Sequence, residues 1–324
     1  RTNKTPQPLT DMKVSVIMCS YNTEAFIKEA IESILHQTYT NWELIISDDK
    51  STDGTINIIK QYTSDPRIKL YEHKENKGYV ANKNRAFRYA TGNLLTQLDA
   101  DDNCPANRLA LQVDVFEKHP DIKICGSNYD IIDTASNVLQ NKKQDKDFLI
   151  TELMLEYPFW FPGLMFRKEM VTEFGLFSEY FNGIYGDDHY WTMRVNKKYP
   201  IYFLKDALYG YRINPNSITN VFDKPRKLIA QDIIAELHRQ LSSTGTDLLS
   251  QGKNEDMLAF EESLYRNNKL MAERYRQWAA KAIDKRHWEQ ATDLIKKCLA
   301  TGKADSTAYR TIFYYIKKRY LGTN

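Results

Sequence analysis

Three carboxylates fall within four positions of the stretch LLTQLDADDN (94–103): Asp99, Asp101 and Asp102. Like charges this close repel one another, so a cation must offset them. Carboxylate oxygens are the ligands of hard divalent ions, and Mg2+ typically takes one or two of them alongside substrate phosphates. Mn2+ shares the preference for oxygen. Two aspartates one residue apart at a strand end reach the same ion where the chain turns. The competing use of Asp101 and Asp102 is to cap a helix that starts near Pro105. Two further acid pairs stand apart from this stretch: Asp48-Asp49 closes WELIISDD, and Asp187-Asp188 lies in GDDHYW.

Such residues act together only if the fold gathers them. VSVIMCS (14–20) is a short apolar run rich in β-branched residues, the pattern of a strand buried on both faces. In EAFIKEAIESILHQ the apolar residues Phe26, Ile27, Ala30, Ile31, Ile34 and Leu35 form a helical stripe. WELIISDD is a second buried strand, followed by a helix in STDGTINIIKQY that Ser51 or Thr52 is placed to cap. RIKLYEH, GYVANKNRAFRYA, NLLTQLDADD, PANRLALQVDVFEKHP and IKICGSNYDIID continue as strand, helix, strand, helix and strands. Repeated β-α-β units predict a parallel, doubly wound sheet, which binds ligands at the carboxyl ends of its strands. Three of those ends carry polar clusters: Ser20-Tyr21-Asn22, Asp48-Asp49 and Asp99 to Asp102. One site at the top of the sheet is the expectation. Beyond Asp223 the chain reads as helical almost throughout.

The composition is that of a soluble globular protein: 42% of residues are hydrophobic and 27% charged. At 324 residues the chain accommodates one large α/β domain and an appendage. Its net charge of +3 calls for no nucleic-acid partner. The balance is uneven, because residues 221–324 hold 19 Lys and Arg against 13 Asp and Glu. Solvated helix faces account for that surplus, and an anionic surface or a second subunit is the other use. The cysteines Cys19, Cys104, Cys125 and Cys298 are scattered without metal-ligand spacing, which fits a reducing compartment. The polar start RTNKTPQPLTDMKVS resembles no signal peptide, and no window reads as a membrane span. The expected location is cytoplasmic, with peripheral contact at the inner face of the membrane as an extension. Neither GxGxxG nor GxxxxGK[ST] occurs, which weighs against a dinucleotide oxidoreductase and a P-loop kinase.

The run VSVIMCSYNTEAFIKEAIESILHQTYTNWELIISDDKSTDGT strongly resembles the opening of family 2 glycosyltransferases, inverting enzymes of the GT-A fold. ENKGYVANKNRAF, LLTQLDADDN, FPGLMFRKEMVTEFGLF, GDDHYWTMRV and LYGYRINPNSIT continue the resemblance in the family's order. It implies a GT-A (Rossmann-like), mostly parallel sheet flanked by helices over residues 13–220. An N-terminal extension (1–12) would precede it, and an all-α region (221–324) would follow. Tyr21, Asn22, Asp49, Lys83 and Asp99 match nucleotide- and donor-binding positions. Asp101 and Asp99 match the metal-binding DxD motif, with Mn2+ or Mg2+ as the ion. Asp188 matches the general base, and Asp187 is the fallback. The resemblance further implies a nucleotide-sugar donor, with UDP as the nucleotide, and a saccharide or lipid-linked acceptor in polysaccharide or glycoconjugate synthesis.

Several positions depart from the family pattern. Asn214 stands where many members carry a metal-approaching His, and an amide oxygen is a weaker ligand. Lys50 replaces the usual Gly after the Asp pair, and Cys19 replaces a small polar residue. The QxxRW motif of processive synthases is absent, which implies transfer of single sugars. His36, His73 and His119 form no ligand cluster, while His189 adjoins Asp188 and the acceptor side. Phe159, Trp160 and Phe161 serve either a sugar face or the core. A sugar nucleotidyltransferase and a catalytically weak binding or scaffold module are the rival readings. The first lacks its Gly-rich loop in SYNTEAF, and the intact DxD and Asp188 argue against the second.

Overall fold

The structure, a computed structural model, describes residues 12–141, 144–214 and 224–321. The expected 1–12 extension, apart from Met12, lies outside the described residues, as do the expected boundary at 220/221 and the end of LYGYRINPNSIT. The chain divides into two compact units. One carries the sheet and runs to Gly183, resuming over Asp187–Asn214; the other takes Ile184–Gly186 and everything after Asn214.

In the first unit, strands β1 (Val14–Ser20), β2 (Trp42–Asp48), β3 (Ile68–Glu72) and β4 (Leu94–Gln97) alternate with helices α1 (Ile27–Leu35), α2 (Thr55–Lys60) and α3 (Tyr79–Arg88). Helix α4 (Arg108–Lys118) follows, then β5 (Ile124–Ile132), β6 (Val138–Asn141), β7 (Phe148–Ile150) and β8 (Met165–Arg167). Helices α5 (Glu169–Phe174) and α6 (Asp187–Asn196) lead into the long strand β9 (Ile201–Arg212). The sheet order is β3-β2-β1-β4-β8-β5-β9-β7, with β6 paired to β5. The first four strands are all parallel, as the alternating pattern predicts. Beyond β4 the sheet is mixed: β8 runs antiparallel between β4 and β5, and β5 and β9 pair in parallel.

All seven residues of β1 and of β2 are buried, which is why neither shows polar alternation. The stripe of α1 is buried at Ile27, Ala30, Ile31 and Ile34, and these pack with β1 and β2 residues into the main core. Each such aliphatic side chain contributes about 1.5–3 kcal/mol on burial. Register places the ends of β1 and β2 side by side, with Ser20 opposite Asp48. Two expected caps are corrected. Helix α4 begins at Arg108 after Asn107 without a side-chain cap, so neither Asp101 nor Asp102 caps it. At α2 the backbone N–H of Thr55 donates to Asp53 and that of Gly54 to Glu24, while Ser51 bonds elsewhere.

The second unit is helical among its described residues: α7 (Ala230–Thr244), α8 (Asn254–Arg266), α9 (Asn268–Asp284), α10 (Trp288–Ala300) and α11 (Ser306–Tyr320). The long apolar-periodic stretch before residue 284 breaks into two helices at Asn267, whose side chain caps α9 through the Leu270 N–H. Arg274 on α9 reaches Asp232 on α7 through a two-pronged ion pair, with Nε–Oδ2 at 2.8 Å.

Candidate active site

The strand ends meet as the sequence predicts, and each acid there has a different set of partners. Asp48 is fully engaged: Ser20 donates to it at 2.7 Å, and the Ser51 hydroxyl and amide donate at 2.6 and 2.7 Å. Asp49, also buried, accepts the backbone N–H groups of Lys77 at 3.0 Å and Gly78 at 2.8 Å. Gly78 has φ +91°, and a Cβ there would sit 2.3 Å from Asn182 Oδ1, so only glycine brings that amide to Asp49. Asn22 ties the first two strand ends together by accepting the Thr52 N–H at 2.8 Å. Lys50 adopts φ +69°, the left-handed conformation that accounts for a glycine being usual at this place. Tyr21 beside Asn22 is 49% exposed.

Tyr79, the residue after Gly78, carries the site across to the β4 end. Its hydroxyl donates to Asp99 at 3.3 Å, and Gln97 bridges both, at 2.6 Å to each. Burial, reinforced by the charge of Asp101, pushes the Asp99 carboxyl up to about 7. The turn after Asp99 is anchored by Asp102, not capped by it. Asp102 accepts the Tyr209 hydroxyl at 2.6 Å and the Arg212 backbone N–H at 2.7 Å, so the acid turn is laced to β9. A Cβ on Gly210 would stand 2.1 Å from Asn103 Oδ1, which explains a glycine at that close approach. Burial, with Asp101 and Asp99 next, holds the Asp102 carboxyl well above its ordinary value.

Beneath this turn lies Arg212, essentially buried. Its guanidinium donates to the Asp101 carbonyl at 2.7 Å, the Asp133 carbonyl and Glu29 at 2.8 Å each, and the Ser136 hydroxyl at 2.9 Å. Glu29 in turn accepts from Asn103 at 2.6 Å. That leaves the Asp101 carboxylate partly exposed at the turn, where Asn214 donates its amide N–H to it at 3.1 Å. Asn214 thus presents a donor to Asp101 in this structure.

The cation the acids require is in part internal. Lys83 on α3 is wholly buried and pairs with Asp187 at the start of α6, its ammonium 4.1 Å from the Phe177 ring. Burial draws the Lys83 ammonium down, but Asp187, Asp188 and Asp99 outweigh it and hold the group above its ordinary value. Its neighbours fix the helix: Asn82 bonds Ser47 on β2, and Asn84 accepts from and donates to the Phe177 backbone. Asp187 is spent on this pair. Asp188 stays partly exposed, accepts the His189 N–H at 2.7 Å and lines a cavity of about 20 Å3, room for one water, with Gln97, Phe161 and Trp191. Phe161 stacks on His189 at 4.9 Å, whereas Phe159 is core.

Convergence is registered at Cys19 on β1. Burial raises this thiol, Lys83 opposes, and Asp99, Asp49 and Asp187 each add to the rise. The acids that follow β2 and β4 and the one that opens α6 therefore all act on the end of β1. Gln97, Tyr79, Tyr209, Arg212 and Glu29 carry no signal of their own in the sequence beyond lying inside the quoted runs LLTQLDADDN, GYVANKNRAFRYA, LYGYRINPNSIT and EAFIKEAIESILHQ.

Among the described residues, no three His, Cys, Asp or Glu side chains gather as a metal cage. Asp101 with Asp99 offers the smaller donor set, one or two carboxylates, that suits Mg2+ or Mn2+ when phosphates and water complete the shell.

This sheet, with acids at its strand ends and a helical region after it, is of the GT-A type. The chain matches the sequence profile described as "Glycosyl transferase family 2" over residues 15–184, just over half its length, and it belongs to that family. It is 42% identical over 130 residues to the Escherichia coli "UDP-Glc:alpha-D-GlcNAc-diphosphoundecaprenol beta-1,3-glucosyltransferase WfgD", covering 40% of this chain and 51% of that one. It thus spans about half the length of such curated relatives. In fold it is similar to S. aureus TarS 1–349 in complex with UDP-GlcNAc, with TM-score 0.59, 18% identity and 92% of both chains covered. It also resembles the mannosyltransferase PcManGT from Pyrobaculum calidifontis in complex with GDP-Man and Mn2+, with TM-score 0.53 and 16% identity over 97% of this chain and 88% of that one.

Proposed function

We propose that this chain transfers a single sugar from a nucleotide-diphosphate sugar to an acceptor hydroxyl with inversion at the anomeric carbon. The observation that carries this is a chain of contacts at one end of the sheet: Asp49 accepts the Gly78 N–H, the adjoining Tyr79 donates to Asp99, and Lys83, 4.8 Å from the Tyr79 ring, pairs with Asp187 beside Asp188. Asp188 is the general base: it is the partly exposed member of its pair, while Asp187 is held by Lys83. The acceptor oxygen attacks the anomeric carbon as the bond to the diphosphate oxygen breaks. The hydroxyl proton passes to Asp188, and the electron pair leaves with the nucleoside diphosphate. Tyr21, Asn22 and Asp49 line the nucleotide end, with Lys83 and Asp99 on the donor side. Asp101 and Asp99 would hold Mn2+ or Mg2+, which supplies charge neutralisation for the departing diphosphate. UDP is the nucleotide favoured by the WfgD and TarS likenesses, and a saccharide or lipid-linked acceptor by the WfgD likeness. Among the described residues, no helix is long and apolar enough to cross a membrane.

The test is Asp188→Asn assayed for donor binding and for transfer. Binding is expected to persist while transfer falls about 10²–10⁴-fold. Near-normal turnover in that variant would place the base elsewhere.

A further inference from the structure

Helix α11 has two dissimilar faces. One packs within the helical unit through Ala308 and Tyr315, whose hydroxyl meets that of Thr292 at 2.6 Å. On the other, Tyr309, Phe313, Ile316 and Tyr320 are 61%, 65%, 44% and 67% exposed. Their spacing of four, three and four residues sets them in one row along the helix, about 16 Å from end to end. A row of four large apolar side chains left in water needs an explanation.

Along the helix itself the charge is one-sided. From Ser306 to Leu321 there are four cations, Arg310, Lys317, Lys318 and Arg319, and no Asp or Glu. Helical geometry sets Arg310 and Lys317 along one border of the row and Arg319 along the other. Of these, Arg319 is also exposed but donates to the Tyr315 hydroxyl and is drawn toward Glu289, which leaves Arg310 and Lys317 as the exposed pair without such a tie. An apolar row edged by cations is the design of a helix lying in the interface of an anionic bilayer. There its rings enter the acyl boundary and its cations meet the phosphates. Tyrosine suits that depth, with an apolar ring and a polar tip. A second copy is a poorer occupant, because a two-fold contact would set cationic borders against each other.

We propose that this face of α11 seats the protein on an anionic lipid surface. The inference stands apart from the transfer reaction, and vesicle binding reads it without turnover. The full chain is mixed with vesicles of phosphatidylcholine alone or with phosphatidylglycerol added, and sedimented at low and high salt. Binding to the anionic vesicles alone, weakened by salt, is expected. Phe313→Glu with Ile316→Glu should abolish it, and Arg310→Gln with Lys317→Gln should weaken it roughly tenfold to thirtyfold. All four positions are exposed or half-exposed, and far-UV circular dichroism checks that each variant folds. No sedimentation with anionic vesicles would overturn the proposal, as would equal binding by wild type and the Glu variant. Self-association in sedimentation velocity that the Glu variant abolishes, without vesicle binding, would overturn it too and assign the face to a second copy.

Discussion

Replacing Arg212 by Met isolates what holds the Asp99–Asp102 turn, because the side chain keeps similar bulk and loses its charge and donors. Four hydrogen bonds go: to the carbonyls of Asp101 and Asp133, to Ser136 and to Glu29. The three to neutral acceptors are worth about 1 kcal/mol each, and the charged one about 1.5–3 kcal/mol. The lower end applies to that last bond, since the Glu29 side chain is 42% exposed. Against this, the variant no longer holds a guanidinium out of water, which returns about 1–2 kcal/mol. The net loss is about 2–4 kcal/mol, or a fall in Tm of about 3–6 °C for a chain of this size. Glu29 keeps its bonds from Asn103 and Ser136, so the loop need not unfold. The functional consequence is local. With its carbonyl untethered, Asp101 no longer aims its carboxylate, and Mn2+ affinity in the presence of UDP should fall about 10–100-fold. Calorimetry of the folded variant measures this at a temperature well below its Tm. Unchanged Mn2+ affinity in a destabilised Arg212→Met would refute the idea that Arg212 positions the turn.

Two further predictions concern charge. Lys83→Met leaves Asp187 buried without its partner and should cost about 3–5 kcal/mol in urea unfolding. The double variant with Asp187→Leu should recover most of that loss, and an additive double variant would show that the two do not act as a pair. At Glu43, burial opposes the charge, but hydrogen bonds from Lys69, Ser15, Lys13 and the Thr91 amide outweigh it and hold the carboxyl far below its ordinary value. A depressed folded value stabilises above the unfolded value of about 4.3 and is lost as pH falls below it. The stability difference between wild type and Glu43→Gln should therefore be constant from pH 6 to 8 and shrink below about pH 5. A difference independent of pH would contradict that assignment.

What the sequence discloses depends on how local the cause is. Strands β1 and β2 are legible because burial on both faces leaves VSVIMC and LIIS almost wholly apolar, with one small serine in each. The stripe of α1 is legible for the matching reason at helical spacing. Strands β7 and β8 are three residues each and lie in a mixed half of the sheet, too short to show a period. The convergence of the acids follows from the parallel order and so could be anticipated. Their individual partners could not. Asp102 looks like a helix cap from its neighbours, but Tyr209 and Arg212, over a hundred residues away, take both its oxygens. Lys83 and Asp187 are likewise over a hundred residues apart. From its neighbours Asn214 reads as a weak oxygen ligand, and the fold turns its N–H toward Asp101.

The central claim is that Asp101, with Asp99, clamps a divalent ion against the diphosphate of a nucleotide. Titrating UDP into the full chain by calorimetry, in Mn2+ and then in EDTA, tests it most directly, with Asp101→Ala alongside. Binding in Mn2+ that is lost in EDTA, and lost in Asp101→Ala under both conditions, is the predicted result. UDP bound with the same affinity in EDTA as in Mn2+ would contradict it.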